Sequence, residues 1–557
     1  MSARISPISL LLVFFTALAM NASAATYYIA ANGSDTNSGT SNSAPWAHAP
    51  GMPSCKSVCA SANPQPGDKF IFRGGDTWHF GDTSQTTYIG SGGWSWNWSG
   101  TSANPVYIGV DENWYSGSSW ARPVLSGDNA LWSGSGFVSS CAYDYKNAGN
   151  GLVSISANYW QFDNFEMTGV CWSSQISDNG MWNLPGSDKG FIFSNNYCHG
   201  WTMTSSASDN FPCVISFGSG SVNNMGQFAS DVFDGSDSPH FPSGSSNCQW
   251  FKNDSAGCAS GQGINGSAYD VHGSIFRYLS NMMVTMNCHT IHDNLFEYLY
   301  DSFASGSIQQ HPNVMNCLGG GSGDNLYWYN NVMRHTYATE DVYLAVRTNV
   351  YFFNNVMFDN MNSVVGPVPG GCIRFNAVGN SASSQTAYIY NNTFGDATCQ
   401  LKFELANSPL TPWNGTGNFQ NNHAIGFSPA ALNSVYVCHT SGTCAINDAG
   451  SEIFQTTSVA NSQGYVASNN YAPTQTSGAT VGVGAVLTSS CSVFSADGEF
   501  CGGTSDGAAL QNANGGQVAN FPAVAMISRP PTWDVGAHQF GTSARPVPPT
   551  NLTAVVH

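Results

Sequence analysis

One short phrase recurs through the middle of this sequence. It consists of two or three aromatic or apolar residues, a polar pair and two more apolar residues, as in YWYNNVMR (327–334) and YFFNNVMF (351–358). This spacing is typical of a solenoid in which each copy marks one coil and the longer intervals hold loops. Aligned on the second residue of the polar pair, the copies fall at positions 274, 294, 331, 355, 392 and 422, which are 20, 37, 24, 37 and 30 residues apart.

Within each phrase apolar and polar residues alternate, as in residues 388–390 (YIY). That alternation has the period of a strand, not of a helix. Short strands that end at a polar corner and recur one coil later predict an all-β fold, a parallel β-helix with long loop insertions. Asparagine suits such a corner, because it tolerates left-handed backbone angles and its amide can bond the asparagines of the coils above and below. The asparagine pairs are therefore predicted to be structural.

The two ends of the chain resemble those of a known group of proteins. Residues 25–52 (ATYYIAANGSDTNSGTSNSAPWAHAPGM) and 64–78 (PQPGDKFIFRGGDTW) are similar to the opening of secreted bacterial right-handed parallel β-helix proteins of the pectate-lyase-like superfamily. Residues 532–540 (TWDVGAHQF) resemble their closing strand. The resemblance implies a right-handed β-helix domain over residues 25–541. Where many of those proteins have a capping helix, this chain has the cysteine loop PSCKSVCASANP (53–64).

The N-terminus has the pattern of an export signal. An apolar run from about Ile8 to Met20 is followed by Ala22, Ser23 and Ala24, and the run is too short to span a bilayer. We therefore predict a signal peptide over residues 1–24, cleaved near Ala24, and a secreted, extracellular protein with no membrane partner. Residues 542–557 are predicted to be a Pro-rich tail.

All 16 cysteines follow the predicted cleavage point, as expected of disulfides formed in an oxidising compartment. A zinc site is the alternative, but no paired C-x-x-C or His-spaced set is present. Sequence alone leaves the connectivity open. The candidate pairs are Cys55 with Cys59, Cys141 with Cys171, Cys198 with Cys213, Cys248 with Cys258, Cys288 with Cys317, Cys372 with Cys399, Cys438 with Cys444 and Cys491 with Cys501.

The chain is acidic but sparsely charged. Its formal net charge is −18, and only 9% of its residues are charged. Nucleic acid is therefore excluded as a partner, because phosphate binding needs a basic surface. A polar, uncharged and aromatic-rich surface suits neutral carbohydrate, whereas a polyanionic sugar would require an intervening cation such as Ca²⁺.

Equivalent side chains of a β-helix stack in rows about 4.8 Å apart, so a site must be sought across coils. Three residues after the second polar residue, successive copies place Arg277, Glu297 and Arg334. Glu297 is thus predicted to lie between two arginines. The row is either a salt-bridge ladder or a cleft in which an arginine, beside a carboxylate and a histidine, abstracts a proton next to a uronate carboxyl group.

Two loop segments add candidate residues. ASDVFDGSDSPHF (229–241) spaces Asp231, Asp234 and Asp237 three residues apart, which indicates either turns or a metal site that would hold Ca²⁺. YLYDSFASGSIQQHP (298–312) follows a strand and carries Asp301 and His311, which join the row as candidate catalytic residues.

Candidate substrate-binding residues come from elsewhere in the chain. GGWSWNWSG (92–100) places three tryptophans on one side of a strand, as a cap over the core or as a platform for sugar rings. The predicted substrate-binding set is Trp94, Trp96, Trp98, His335 and Arg347.

These observations predict a monomeric β-helix protein that acts on polysaccharide, as a lyase or a glycoside hydrolase. In a lyase, arginine or lysine would remove the C5 proton while Ca²⁺ or arginine neutralises the uronate. In a hydrolase, Asp and Glu would act as acid and base. The alternative is a non-catalytic carbohydrate-binding or cell-surface structural β-helix, for which low charge and asparagine ladders are sufficient.

Overall fold

The computed structural model describes most of the chain in segments. The predicted export signal and nearly all of the predicted tail lie outside them. The described residues are 24–132, 140–146, 151–174, 180–184, 189–204, 212–216, 226–238, 261–279, 281–299, 313–317, 325–338, 342–345, 349–362, 373–376, 386–395, 401–404, 416–427, 436–438, 445–494, 499–504, 526–529, 531–540 and 544–545.

Two long sheets dominate the described part of the chain, sheet A with 22 strands and sheet B with 12, and their pairings are parallel. The strands of sheet A are Thr26–Ile29, Lys69–Gly74, Trp94–Trp96, Val106–Tyr115, Val153–Ile155, Trp160–Asp163, Trp182–Leu184, Ile192–Ser194, Val214–Ser216, Gln227–Ala229, Gln262–His272, Asn281–His292, Met315–Cys317, Leu326–Tyr329, Val342–Ala345, Asn349–Phe353, Ile373–Asn376, Thr386–Tyr390, Leu401–Glu404, Thr416–Gln420, Tyr436–Cys438 and Ala445–Asp448. Those of sheet B are Thr77–His79, Val124–Ser126, Glu166–Thr168, Tyr197–His199, Val232–Asp234, Ile275–Leu279, Leu295–Leu299, Val332–Ala338, Val356–Asn362, Thr393–Gly395, His423–Ile425 and Ile453–Gln455.

The remaining elements are short. Strands Cys171–Trp172 and Thr202–Met203 pair in parallel, and Gly502–Thr504, Met526–Ser528 and Ala544–Arg545 form an antiparallel sheet. The α-helices are Ser57–Ala60, Thr457–Ser462 and Cys491–Phe494, and the 3₁₀ turns are Ala467–Asn469, Thr488–Ser490 and Glu499–Cys501. None of the helices in the described segments is long and apolar enough to cross a membrane.

Each coil runs through three strands. In one coil these are Met315–Cys317 and Leu326–Tyr329 of sheet A and Val332–Ala338 of sheet B, and each pairs in parallel with the corresponding strand of the next coil. Sheet A therefore contains two ladders, which the long strands Gln262–His272 and Asn281–His292 join by passing through both. The predicted right-handed parallel β-helix is confirmed.

The core is a column of apolar side chains inside the coils. Phe276 stacks on Phe296, with ring centroids 5.0 Å apart, and Phe296 lies 5.6 Å from Trp328 of the other sheet. All three are fully buried. Because strand residues alternate between faces, the neighbours of these rings point outward, so the sequence of each strand decides what the outer surface carries.

The corner between sheet A and sheet B is built by the repeated polar pair. The first residue adopts left-handed angles, with φ 54° at Asn330 and 55° at Asn354. The second residue points inward and bonds the next coil, as Asn331 Nδ2 does by donating to Asn355 Oδ1 at 3.2 Å. The predicted asparagine ladder is confirmed, and it continues from Asn294 through Asn331, Asn355, Asn392 and Asn422.

Acids and a serine extend this ladder at both ends. Asp231 accepts from the backbone and side chain of Asn196, and Ser274 occupies the next corner. At the other end Asn422 Nδ2 donates to Glu452 Oε1 at 2.9 Å.

Five disulfides confirm predicted pairs and fit an oxidising environment. They join Cys55 to Cys59, Cys141 to Cys171, Cys198 to Cys213, Cys288 to Cys317 and Cys491 to Cys501. The other three predicted pairs involve residues outside the described segments and stay predictions.

The C-terminal segment folds back over the outside of the later coils. Phe494 packs against Tyr351, and Phe500 against Phe353, on the outer face of sheet A. Arg529 belongs to this segment and is fully buried between it and the coils. Its guanidinium donates to Asn354 Oδ1 and to backbone carbonyls, including that of Gly502. The end of the chain thus covers aromatic rows that would otherwise face water.

Candidate functional site

The predicted stacked row exists on the outer face of sheet B. Arg277 lies opposite Glu297, and Glu297 opposite Arg334, in the register inferred from the repeats. The row also extends backward, because Asp234 lies opposite Arg277 and His199 opposite Asp234. Five side chains of alternating charge therefore follow one another through five coils.

Most of this row is closed to solvent, which corrects the expectation of an open cleft. Arg334 donates to Glu297 Oε2 through Nε at 3.0 Å and Nη2 at 2.8 Å, and both side chains are 1% exposed. Arg277 donates through Nε to Asp234 Oδ2 at 2.8 Å. Buried side chains that are already paired cannot approach a polymer. Between Arg277 and Arg334 the row is therefore an internal salt-bridge ladder.

Arg277 is also unsuited to act as a base. Burial alone would lower the pKa of its guanidinium, but the charge of Asp234 more than offsets that effect and holds the pKa above its usual value. An arginine with a raised pKa keeps its proton. The predicted proton abstraction by Arg277 is therefore not supported by its surroundings.

At the other end of the row the charged groups reach solvent. Glu166 Oε1 lies 3.0 Å from His199 Nε2, and Asp237 Oδ2 lies 2.6 Å from His199 Nδ1. The His199 side chain is 5% exposed, whereas those of Glu166 and Asp237 are 21% and 25% exposed. Tyr197 stacks on the imidazole at 4.1 Å and fixes its plane. The buried imidazole ring of His199 is thus hydrogen-bonded to two carboxyl groups that solvent can reach.

The charge state of His199 follows from these contacts. Burial alone would lower the pKa of the imidazole, but hydrogen bonds and charge attraction from Asp237 and Glu166 raise it to about 9. The ring is consequently protonated at neutral pH and donates to both carboxylates. The cluster holds two negative groups and one positive group, so an exchangeable proton lies between two solvent-accessible oxygens.

Beside the charged row, four side chains stack at a corner within the strands of sheet B. Tyr278 and Tyr298 are parallel at 4.6 Å, Tyr298 and His335 lie 5.2 Å apart, and His335 Nδ1 lies 3.1 Å from Asp359 Oδ2. All four are partly exposed and have φ of 54–55°, which is rare for tyrosine. This corner stack includes His335, the predicted substrate-binding histidine, and offers aromatic edges and polar atoms to solvent.

The predicted metal site at Asp231, Asp234 and Asp237 is wrong. Asp231 belongs to the inner corner ladder and is fully buried, and burial raises its pKa. Asp234 pairs with Arg277, while Asp237 pairs with His199. The three carboxylates therefore have separate partners, and they do not form a group whose ligand atoms all lie within 4.8 Å of one another.

The predicted tryptophan platform is also wrong for two of its three rings. Trp94 and Trp96 are 1% and 0% exposed, and their indole N–H groups donate to the carbonyls of Pro50 and Trp98. A ring enclosed in the core has no face to offer a sugar. Trp98 is partly buried against the same core, so the three tryptophans contribute to the hydrophobic core at this strand of sheet A.

Three predicted residues, Asp301, His311 and Arg347, lie outside the described residues and stay predictions. The accessible acid pair was missed. Asp237 was considered as a metal ligand, not as a partner of His199, and Glu166 was not considered. The phrase WQFDNFEMTG (160–169) aligns with the repeats and places Glu166 in sheet B, which was the available signal.

No protein-family model matches the sequence, and no curated protein is similar to it. Solved structures with a similar fold include pectate lyase Pel9A, at 15% identity and TM-score 0.33 over 83% of this chain and 91% of that chain. A rhamnogalacturonan lyase has 12% identity and TM-score 0.34, over 77% and 86% of the two chains. A GH136 lacto-N-biosidase from Eubacterium ramulus has 11% identity and TM-score 0.33, over 77% and 68%.

Proposed function

We propose that this protein acts on a neutral polysaccharide by glycoside hydrolysis, with Glu166 and Asp237 as its acid and base. The observation that carries the proposal is the pair of accessible carboxyl groups held on the two nitrogens of His199. The structural neighbours with carbohydrate-cleaving names are compatible with this class of activity, but the argument comes from the side chains.

Glycoside hydrolysis requires two carboxyl groups on either side of the scissile bond. One protonates the leaving oxygen as the C–O bond breaks, and the other activates the water or attacks the anomeric carbon. Glu166 and Asp237 each have an oxygen in contact with His199, and they contact different nitrogens of its ring, Nε2 and Nδ1. His199 is a positioning residue whose imidazolium can pass its proton to the carboxylate that acts as the acid, which gives it to the leaving oxygen. The neutral ring then takes up the proton that the base has removed from water, so His199 returns to its starting state.

Hydrolysis is favoured over elimination by the state of the arginines. A lyase needs a positive group free to neutralise a uronate and a base to remove its C5 proton. Arg277 and Arg334 are each paired with a buried carboxylate, and the accessible groups near them are acids. An acidic surface repels a polyanion, so a neutral glycan fits this region better.

A non-catalytic carbohydrate-binding role is the second candidate. It is favoured by the corner stack of Tyr278, Tyr298, His335 and Asp359, whose polar edges can bond sugar hydroxyls without any chemistry. The two candidate functions predict different effects when the carboxyl group of Glu166 or Asp237 is removed. Glu166 would matter little to a binding protein that uses the corner stack.

The test is incubation of the secreted protein with neutral and uronic-acid polysaccharides, with and without Ca²⁺. Reducing ends and the ultraviolet absorbance of unsaturated products are read together. New reducing ends without unsaturation support hydrolysis, whereas unsaturated product overturns it in favour of a lyase. Retention on an insoluble polysaccharide without any cleavage supports the binding role.

Variants locate the activity. Glu166→Gln and Asp237→Asn should each lower the rate by about 10²–10⁴-fold, as for loss of an acid or base. Asp111→Asn is the matched control, because Asp111 is an exposed carboxylate on sheet A whose described bonds are to neighbouring Asn113. Full activity in both acid variants would refute the assignment.

A further inference from the structure

A second cluster of titratable side chains lies on the outer face of sheet A. His272 and His292 occupy the same position in successive coils, and their rings stack at 5.0 Å. Their neighbours Val271 and Ile291 fill the core, so both imidazoles point outward. Asp270 lies two residues before His272 on the same strand and therefore on the same face. The β-helix thus brings one carboxylate and two imidazoles together.

The distances within this cluster suit ligands of one ion better than hydrogen-bond partners. His272 Nδ1 lies 3.3 Å from Asp270 Oδ2, and His292 Nε2 lies 3.3 Å from Asp270 Oδ1. Hydrogen bonds between these atom types are usually shorter, at about 2.7–3.2 Å. Two ligands of a tetrahedral ion with bonds of about 2.0–2.1 Å are about 3.3–3.4 Å apart. The ligand atoms of all three residues lie within 4.8 Å of one another.

Within the described segments, two of these atoms also lack a hydrogen-bond partner. Asp270 Oδ1 and His272 Nδ1 are buried, and neither makes a hydrogen bond of acceptable geometry. Buried polar atoms without partners are uncommon and costly, so each calls for an explanation. A cation between them would satisfy both.

A further carboxylate orients one of the histidines. His292 Nδ1 lies 2.7 Å from Asp293 Oδ2, which fixes its proton on that nitrogen and leaves Nε2 directed at Asp270. Metal-bound histidines commonly show this arrangement, in which the nitrogen away from the metal donates to a carboxylate. Tyr329 stacks on His292 at 4.8 Å and holds the ring from the side of the next coil.

We propose that Asp270, His272 and His292 bind one divalent transition-metal ion such as Zn²⁺, with Asp293 as the outer partner of His292. Two nitrogen donors and one carboxylate favour Zn²⁺ and similar divalent transition metals over Ca²⁺, which prefers oxygen ligands. The side chains of Asp270 and His292 are each 16% exposed, so a fourth ligand can come from solvent. The ion would link two successive coils. This site is separate from the proposed hydrolase cluster and does not depend on it.

The experiment uses the untagged mature protein, treated with a chelator and dialysed. Titration with Zn²⁺, Co²⁺ and Ca²⁺ is followed by calorimetry and by metal analysis, and the visible spectrum of the Co²⁺ form reports its coordination. We expect one Zn²⁺ or Co²⁺ per chain, no stoichiometric Ca²⁺ at this site, and a higher unfolding temperature with zinc.

Four variants assign the ligands. His272→Gln and His292→Gln should abolish stoichiometric Zn²⁺ binding, and Asp293→Asn should weaken it by about 10–100-fold while leaving all three ligands in place. His289→Gln is the control, because His289 bonds Thr290 and stacks on Tyr269 instead. Circular dichroism of each variant checks the fold. Absence of stoichiometric zinc in the wild type, or zinc binding unchanged in Asp293→Asn and His292→Gln, would overturn the proposal and leave an ion-pair cluster.

Discussion

Adjacent asparagines at one corner permit a matched test of the inner ladder. Asn391 and Asn392 are both fully buried, yet their side chains have opposite roles. Asn392 Oδ1 accepts from the backbone and side-chain N–H groups of Asn355 at 3.0 and 3.1 Å. Its Nδ2 donates to Phe352 O at 3.0 Å and Asn422 Oδ1 at 2.9 Å. Neither polar side-chain atom of Asn391 has a hydrogen-bond partner among the residues that the structure describes, and its φ is 56°.

We expect Asn392→Ala to destabilise the protein strongly and Asn391→Gly to have little effect. Removing the Asn392 side chain leaves up to two buried groups unpaired, the Asn355 backbone N–H and Phe352 O, because Asn355 Nδ2 still donates to Trp328 O and Asn422 Oδ1 still accepts from the backbone of residue 392. Each unpaired group costs about 1–3 kcal/mol before neighbours relax, and the cavity adds to that cost. A total loss of about 3–5 kcal/mol is therefore reasonable. Glycine at 391 removes no described hydrogen bond and accepts left-handed angles, so the change should stay within about 1 kcal/mol.

The assay is urea unfolding of the two purified variants and the wild type, followed by tryptophan fluorescence. The unfolding midpoint and slope give the free energy of unfolding for each protein. The reasoning is refuted if the two variants lie within about 1 kcal/mol of each other, because the ladder would then contribute no more than the corner conformation.

Two other predictions concern buried charge. Arg334→Met should lower the free energy of unfolding by about 3–5 kcal/mol, because it leaves Glu297 buried without its partner. The double variant with Glu297→Leu should recover much of that loss in the same urea assay. A loss under about 1 kcal/mol in the single variant would contradict the buried pair. Burial, with a smaller effect from the charge of Asp448, raises the pKa of Glu452 from 4.5 to about 8, although the hydrogen bonds from Tyr436 and Asn422 act in the opposite direction. The stability that protonated Glu452 contributes is therefore complete below pH 4.5 and is lost as pH rises to 8, by roughly 1.4 kcal/mol per pH unit. Between pH 5 and 9 the unfolding midpoint should therefore fall less steeply with pH in Glu452→Gln than in the wild type, and the glutamine can still accept hydrogen bonds from Asn422. If the midpoints of both proteins change equally with pH, Glu452 is not the group responsible.

The register of the coils could be predicted because the repeated polar pair fixes it. Once position 294 is aligned with 331, the pairing of Glu297 with Arg334 follows, since both lie three residues later. The alignment fails where residues other than two asparagines form the polar pair. Asp231 follows Ser230, whose φ is 59°, and this Ser-Asp pair occupies a corner that elsewhere has two asparagines. The acid was therefore interpreted as a loop residue.

Which side of a strand faces inward is harder to predict when the intervening residues are small. In WSWNW the three tryptophans do share a side, as predicted. Serine and asparagine between them tolerate either environment, so the sequence could not show that this side faces the core. The burial of Arg334 is unpredictable for a related reason, because an outward residue is buried only by what other parts of the chain place over it.

The residues of the proposed metal site have a visible signal in the sequence, although they are not among the predicted site residues. VHG (271–273) and IHD (291–293) are the same phrase one coil apart, which places His292 beside His272. In a solenoid, the relevant spacing is the length of a coil.

The buried arginine at position 529 has a consequence for the order of assembly. A solenoid coil normally depends only on its neighbours and can form as soon as they exist. Here Arg529 bonds Asn354 across 175 positions, and Ala537 bonds Thr393 across 144. The aromatic rows at Tyr351 and Phe353 are therefore synthesised long before the residues that cover them. Until the covering residues Phe494 and Phe500 are made, the growing chain presents this apolar surface to solvent, and any product truncated before residue 494 keeps it exposed and prone to aggregation.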